Sequence, residues 1–499
     1  MEPGPPEPRS TTSGPVAIVA LVAAVAIVAL VAAIAIVVAA GWLVLGSAKP
    51  APSPQLSAAG PSSNVAIGSA NASPATPVAS APAPTARSTA PPPERPFASS
   101  GSIAVVEPDG SLGLVDTMGH VTILAEAGDA MFAFPVWSPD GSHIATIRYG
   151  SADRQILVFD AEQAATGQPV EPVVLLRSTA IGPFYLSWTP DGKSVGYLAD
   201  ENGGLSLRIV AADGSEPVDG SAPGSQIRTG NPFYFDWIGS DHLLAHVGSG
   251  PDAFFGEIGL DGASAGGALD RPGDFRAGAV SGDQKFEAYV QAGQGDEAKV
   301  VVAGRGESTR RSMPVFGTAA VGFDPRGDTV ASIGPSEPGQ SAYSVPVGPL
   351  RLLEPLSGKV RTLLDGAVVS FWWSPDGKTI AALRVVPPEG SASPAPTTSP
   401  SPAPGASPTS SPSTVHIVFV DVASRKIRSD AVVEPGQLYV DQFLTYFDQY
   451  ARSHRVWSPD STSLLVPVID ADGTTRITIL FANADAPESI DGVIGFWSP

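Results

Sequence analysis

Three stretches of this chain are near copies of one another: VWSPDG at 136–141, SWTPDG at 187–192 and WWSPDG at 372–377. A fourth, VWSPDS at 456–461, differs at its last position, and the sequence closes on a fifth, GFWSP at 495–499. Self-similarity at a fixed period is the strongest constraint a sequence places on its fold. Taking the aromatic of each motif as an anchor, and Val280 and Phe323 in two weaker units, gives Trp137, Trp188, Trp237, Val280, Phe323, Trp373, Trp457 and Trp497. Successive anchors are 51, 49, 43, 43, 50, 84 and 40 residues apart. A period of about 40–50 residues is that of four-stranded β-propeller blades.

The local chemistry agrees. In Pro139-Asp140-Gly141 the proline presets φ, the aspartate accepts from nearby backbone amides, and the glycine tolerates a left-handed backbone. Alternating apolar positions follow, Ile144 and Ile147 among them, and then the strands QILVFD (155–160) and PVVLLR (172–177), with equivalents at LRIVAADG (207–214), KVVVAGRG (299–306) and HIVFVDVASRK (416–426). Between many of them lie DG turns, a strong hairpin signal. The expected fold class is all-β, one propeller of eight blades, with seven as the alternative count. Ahead of the first anchor lie three strands, 102–107, 113–117 and 121–126, with no opening strand; strand 492–497 is an opening strand with no blade. Joined, they complete one sheet and remove two exposed edges.

The WSPDG unit resembles the repeats of TolB-like propellers and the propeller domain of prolyl-oligopeptidase-type enzymes. The resemblance rests on Trp137–Gly141, Trp188–Gly192 and Trp373–Gly377, and is weaker at Trp457–Asp460, where Ser461 replaces glycine. It implies protein–protein contact in a cell envelope. The chain departs from the TolB pattern in its N-terminal segments and in lacking a segment that matches that family's separate α/β domain.

Those segments are distinct. From Val16 to Leu45 no residue is charged, and nearly all are Ala, Val, Ile or Leu. A transmembrane helix needs about 20 such residues, and a signal-peptide core only about 7–15. The expected organisation is a short cytoplasmic tail at 1–15, a transmembrane helix at 16–45, a Pro/Ala/Ser/Thr-rich disordered linker at 46–96, and the propeller at 97–499, interrupted by a second such tract at 387–413. Segments of this composition cannot bury enough apolar surface to offset their ordering entropy. The expected location is the bacterial cytoplasmic membrane, single-pass, with the propeller on the extracytoplasmic side.

A net charge of −20 argues against nucleic acid as a partner. The absence of cysteine removes disulfides, thiolate metal sites and a Cys nucleophile. Gly262-Ala263-Ser264-Ala265-Gly266 matches a nucleophile elbow in letters, but stands in a turn with no strand-to-helix setting, and the closing strand leaves no room for a hydrolase domain after it. His242 and His246, and Asp470 with Asp472, lack further ligands of a metal site. The expectation is therefore no catalytic residue, no metal, no cofactor and no enzymatic activity.

Two features stand above this background. Aromatic residues precede the opening strands: Phe184 and Tyr185, Phe233 and Tyr234, Phe371 and Trp372. They are expected to ring one mouth of the channel. The longer segment 437–460 places Tyr439, Phe443, Tyr446, Phe447 and Tyr450 on one helical face, with Asp448, Gln449, Arg452, His454 and Arg455 beside them. The binding candidates are thus Phe184, Tyr185, Phe233, Tyr234, Phe371, Trp372, Tyr446, Asp448, Gln449, Tyr450, Arg452 and His454. The function expected is a monomeric, non-catalytic binding, scaffold or sensing module for a protein or envelope polymer. A propeller hydrolase or lyase with a site near 446–455, and a purely structural surface domain, are the alternatives.

Overall fold

The structure, a computed structural model, describes residues 86–87, 96–201, 204–216, 224–248, 253–265, 269, 277–338, 345–387 and 414–499. The predicted transmembrane span and most of both Pro/Ser-rich tracts lie outside these residues. Among the described residues no helix is long and apolar enough to cross a membrane.

Each motif turn is built as its residues require. Ser138 Oγ donates to Asp140 Oδ1 at 2.6 Å, and the backbone N–H of Ser142 donates to the same oxygen at 3.0 Å. His143 N–H donates to Ser138 Oγ at 2.9 Å, and Gly141 has φ 75°. These donors hold the Asp140 carboxyl down at about 2. Thr189 with Asp191, Ser374 with Asp376 and Ser458 with Asp460 repeat the arrangement. The glycine position demands a left-handed backbone: Ser461 sits there at φ 62° and Gln284, in the weakened unit 280–284, at φ 60°.

The strands form antiparallel sheets of consecutive neighbours. Strands Met131–Trp137, His143–Tyr149, Arg154–Asp160 and Val173–Ser178 make one; Gly182–Trp188 to Ser225–Thr229 make the next. Seven strands between Ala320 and Val433 form a single sheet, because Val360–Trp373 runs from the outer edge of one repeat into the opening position of the following one. Opening strands of neighbouring repeats lie against one another, Met131–Trp137 against both Ile494–Trp497 and Gly182–Trp188, and Ala279–Val280 between Phe233–Ile238 and Ala320–Phe323, the arrangement of a propeller.

The ring closes as expected. Ile494–Trp497 pairs with Ile103–Val106 in the register Ile103↔Trp497 to Val106↔Ile494. Leu112–Val115 and Val121–Ala125 extend this sheet outward. Ala86–Arg87, inside the stretch read as linker, adds a short outer strand against Val121 and Thr122.

One inter-repeat device was not anticipated. The motif tryptophans donate their indole N–H to the residue preceding the anchor of the previous repeat. Trp137 reaches the Phe496 carbonyl at 3.0 Å, Trp188 that of Val136 at 3.1 Å, Trp373 that of Gly322 at 3.2 Å and Trp457 that of Trp372 at 3.1 Å. Trp237 follows the rule through the Ser187 hydroxyl at 2.9 Å. Trp497 departs from it: its indole N–H is buried without a partner, while its backbone N–H donates to Arg455 O at 2.7 Å. At Val280 and Phe323 there is no indole to donate.

Candidate functional site

The segment 437–460 forms a plug in the mouth of the ring rather than one regular helix. It runs as a π-helical turn (Tyr439–Phe443), a 3₁₀ turn (Leu444–Tyr446) and a short α-helix (Phe447–Tyr450). The changes of pitch bury Tyr439, Phe443, Phe447 and Tyr450 but turn Tyr446 outward, 46% exposed. A single 3.6-residue period would have placed all five together, so the expectation for Tyr446 is corrected.

The buried aromatics meet the opening strands of several repeats. Ring centroids are 5.1 Å apart for Phe134 and Tyr450, 5.2 Å for Tyr185 and Tyr450, 5.6 Å for Phe371 and Phe447, and 5.6 Å for Phe443 and Phe496. The aromatics expected to rim an open mouth are instead this packing interface. Tyr185, Phe233, Tyr234, Phe371 and Trp372 are buried, and Phe184 is half-buried and accepts from the Tyr450 hydroxyl at 3.2 Å through its carbonyl.

Polar groups fix the plug. Gln449, 3% exposed, inserts its amide against the free edge of Phe233–Ile238. Its Oε1 accepts from Phe235 N–H at 3.0 Å; its Nε2 donates to the Phe235 carbonyl at 2.9 Å and to the Tyr185 hydroxyl at 2.8 Å. Arg452 Nη1 donates to Asp236 Oδ2 at 2.5 Å, and Val280 N–H donates to the same oxygen at 2.8 Å. Asp448 is buried and accepts from Ala277 N–H at 3.3 Å. His454 lies with Nε2 3.3 Å from the Phe134 carbonyl and Nδ1 2.7 Å from Ser453 Oγ. Burial pushes its imidazole down to about 3, so it is neutral at physiological pH. Burial likewise raises the phenols of Tyr185 and Tyr450.

Beside the plug lies a cavity of about 480 Å³. The two anchors without tryptophan, Val280 and Phe323, both line it, together with the anchors Trp373 and Trp457, with Trp372 and with the plug residues Arg452 and Arg455. Of the predicted candidates, Phe371, Trp372, Asp448, Arg452 and His454 reach this wall, and the remaining seven do not. Asp236 and Arg455 also line it. The signal for its position was the loss of tryptophan at two successive anchors, which sequence alone does not connect to an opening.

The remaining suggestive residues are in ordinary settings. Ser264 is exposed in the turn after Phe254–Gly259, bridged to Ile258. His246 is buried against Phe255, while the side chain of His242 is 40% exposed beside Asp241. Among the described residues no group of three His, Cys, Asp or Glu is placed to hold a metal ion.

No protein-family model and no curated protein matches this chain. Among solved structures, the chain is similar to TolB. The Acinetobacter baumannii protein matches with 19% identity and a TM-score of 0.34, over 52% of this chain and 63% of that one. A prolyl endopeptidase structure matches at 10% identity and a TM-score of 0.46, over 74% of this chain and 50% of that one. The dihydro-heme d1 dehydrogenase NirN matches at 13% and 0.45, over 81% and 77%. The chain thus spans less than two thirds of the first two. These likenesses concern the propeller and assign no activity. They do correct one expectation. Enzymes, including prolyl endopeptidases, NirN and an oligogalacturonate lyase, stand among the similar structures, so the fold is no ground for denying catalysis, and the expectation of no enzymatic activity is withdrawn.

Proposed function

We propose that this protein is a recognition module: a propeller, counted as eight blades with Val360–Trp373 shared between two, carried at a bacterial cytoplasmic membrane by residues 16–45 and displayed outside it on the 46–96 linker. Its ligand enters the cavity beside the plug. The observation that carries this reading is the coincidence of the cavity with the two anchors lacking an indole, Val280 and Phe323. Elsewhere the same position is filled by a tryptophan, and at five of those six anchors its indole N–H bonds the preceding repeat. An opening of this size, walled by aromatics with a few polar groups, has the character of a small-molecule site.

Free indole, the group missing at those two positions, is a direct probe. The full-length protein should bind it, and Val280→Trp should abolish binding while leaving the melting temperature unchanged or higher. Equal binding to both proteins would refute the cavity as the site. The anchor is tested by fractionation: the full chain should resist carbonate extraction from membranes, and a chain lacking 16–45 should be released. Release of both would overturn the membrane assignment.

A further inference from the structure

The cavity is not chemically neutral in its demands. Three carboxylates line it, and each is engaged. Asp236 accepts from Arg452 and Val280 N–H; Asp324 accepts from Thr329 N–H at 2.7 Å; Asp448 accepts from Ala277 N–H. Of the two arginines, Arg452 is committed to Asp236 and to the Asp448 carbonyl, the latter at 2.8 Å. Arg455 is different. Among the described residues its guanidinium has neither a hydrogen-bond partner nor an ion-pair partner. Its side chain is exposed and borders the cavity. Burial lowers its pKa, and no carboxylate opposes that effect. An exposed guanidinium at a cavity wall with no carboxylate on it is free to take an anion.

We infer that the cavity binds a monocarboxylate joined to an aromatic body, with Arg455 as its counter-ion and the aromatic part against Phe323, Trp372 and Trp373. This rests on the reading of the cavity as the ligand site and adds the ligand's chemistry. The guanidinium fork matches a carboxylate with two parallel N–H···O bonds. The ligand is limited to one negative charge, because Arg452 is paired with Asp236 and Arg326 with Asp324 at 3.5 Å, which leaves Arg455 as the unpaired cation among the lining residues, with the Asp448 carboxylate beside it. The carboxylate comes either from a free aromatic acid or from the C-terminus of a polypeptide, and the two share this chemistry.

Indole-3-acetate and indole-3-acetamide have the same aromatic body and differ in charge. Titrated calorimetrically into the full-length protein, the acetate should bind at least 10-fold more tightly than the amide. Arg455→Met should remove that difference, leaving both at the affinity of the amide, while Arg455→Lys should keep part of it. The tripeptide Gly-Gly-Trp with a free C-terminus separates the sources: tighter binding than indole-3-acetate assigns a polypeptide end, weaker binding a free acid, and both agree with the carboxylate reading. Equal affinity for acetate and amide, or a preference that survives in Arg455→Met, overturns it. If Arg455→Met does not fold, the Arg455→Lys titration and the acetate–amide comparison decide the matter alone. Failure of the cavity itself is read separately: indole-3-acetate and indole would then bind Val280→Trp as well as the parent protein.

Discussion

Gln449→Ala is the sharpest test of the plug. The side chain makes three hydrogen bonds within a site that is closed to water. The Tyr185 hydroxyl would keep a partner in Ser453 Oγ, 2.9 Å away. The Phe235 N–H and carbonyl would not, since they belong to the innermost strand of their sheet and no further strand covers them. Each orphaned buried group costs about 1–3 kcal/mol, giving a loss of about 4 kcal/mol. At about 2.1 cal/mol/K per residue over the roughly 400-residue propeller, the unfolding entropy is about 0.8 kcal/mol/K. The expected fall in melting temperature is therefore about 5 °C, measured by scanning calorimetry on the full-length protein. Gln449→Glu should fall at least as far at pH 7, because a carboxylate would face the Phe235 carbonyl, and should recover partly in acid as that carboxyl gains a proton to donate. Tyr446→Ala, four residues before Tyr450 in the same segment, should change the melting temperature by no more than about 1 °C. A shift below 1 °C for Gln449→Ala would refute the account of how the plug is held.

His454 makes stability sensitive to acid. Its imidazole titrates near 3 when folded, against an ordinary 6.5, so the unfolded chain binds the extra proton first as pH falls below 6.5. That contribution to stability is complete above 6.5 and is lost progressively toward pH 3; at pH 5 the loss is about 2 kcal/mol. Melting temperatures compared at pH 7.5 and 5.0 should converge by this amount in His454→Gln, and an unchanged pH slope in the variant would contradict it. Trp137→Phe removes the indole that reaches the Phe496 carbonyl across the closure; it should cost about 2 kcal/mol, or about 2–3 °C, and a neutral result would show that the bond does not contribute.

The features legible in the sequence were those written in short range. The SPDG turn requires only six consecutive residues, 138–143, and the apolar run of a strand such as 155–160 announces itself within as many. The closure was legible because the two incomplete sets of strands, 102–126 and 492–497, each lacked what the other held. The plug was visible as an inserted aromatic segment, but its changes of helical pitch were not, because they answer to the opening strands it packs on. The Arg452–Asp236 pair joins residues 216 positions apart, and nothing local marks either as the other's partner. The cavity depends on two substitutions in neighbouring repeats whose combined effect exists only once the ring is formed.

The pairing of Ile494–Trp497 with Ile103–Val106 also sets an order of events during synthesis. The strands at 103–125 are made early, yet their sheet lacks its innermost member until residue 494 and those after it have been translated. At about 5–20 residues per second, the intervening chain takes about 20–80 s. For that time the apolar edge of Ile103–Val106, buried throughout in the finished ring, has no partner from its own chain. The first-made part of the propeller is thus the last to be completed, and this interval is when a chaperone or a neighbouring nascent chain has access to it.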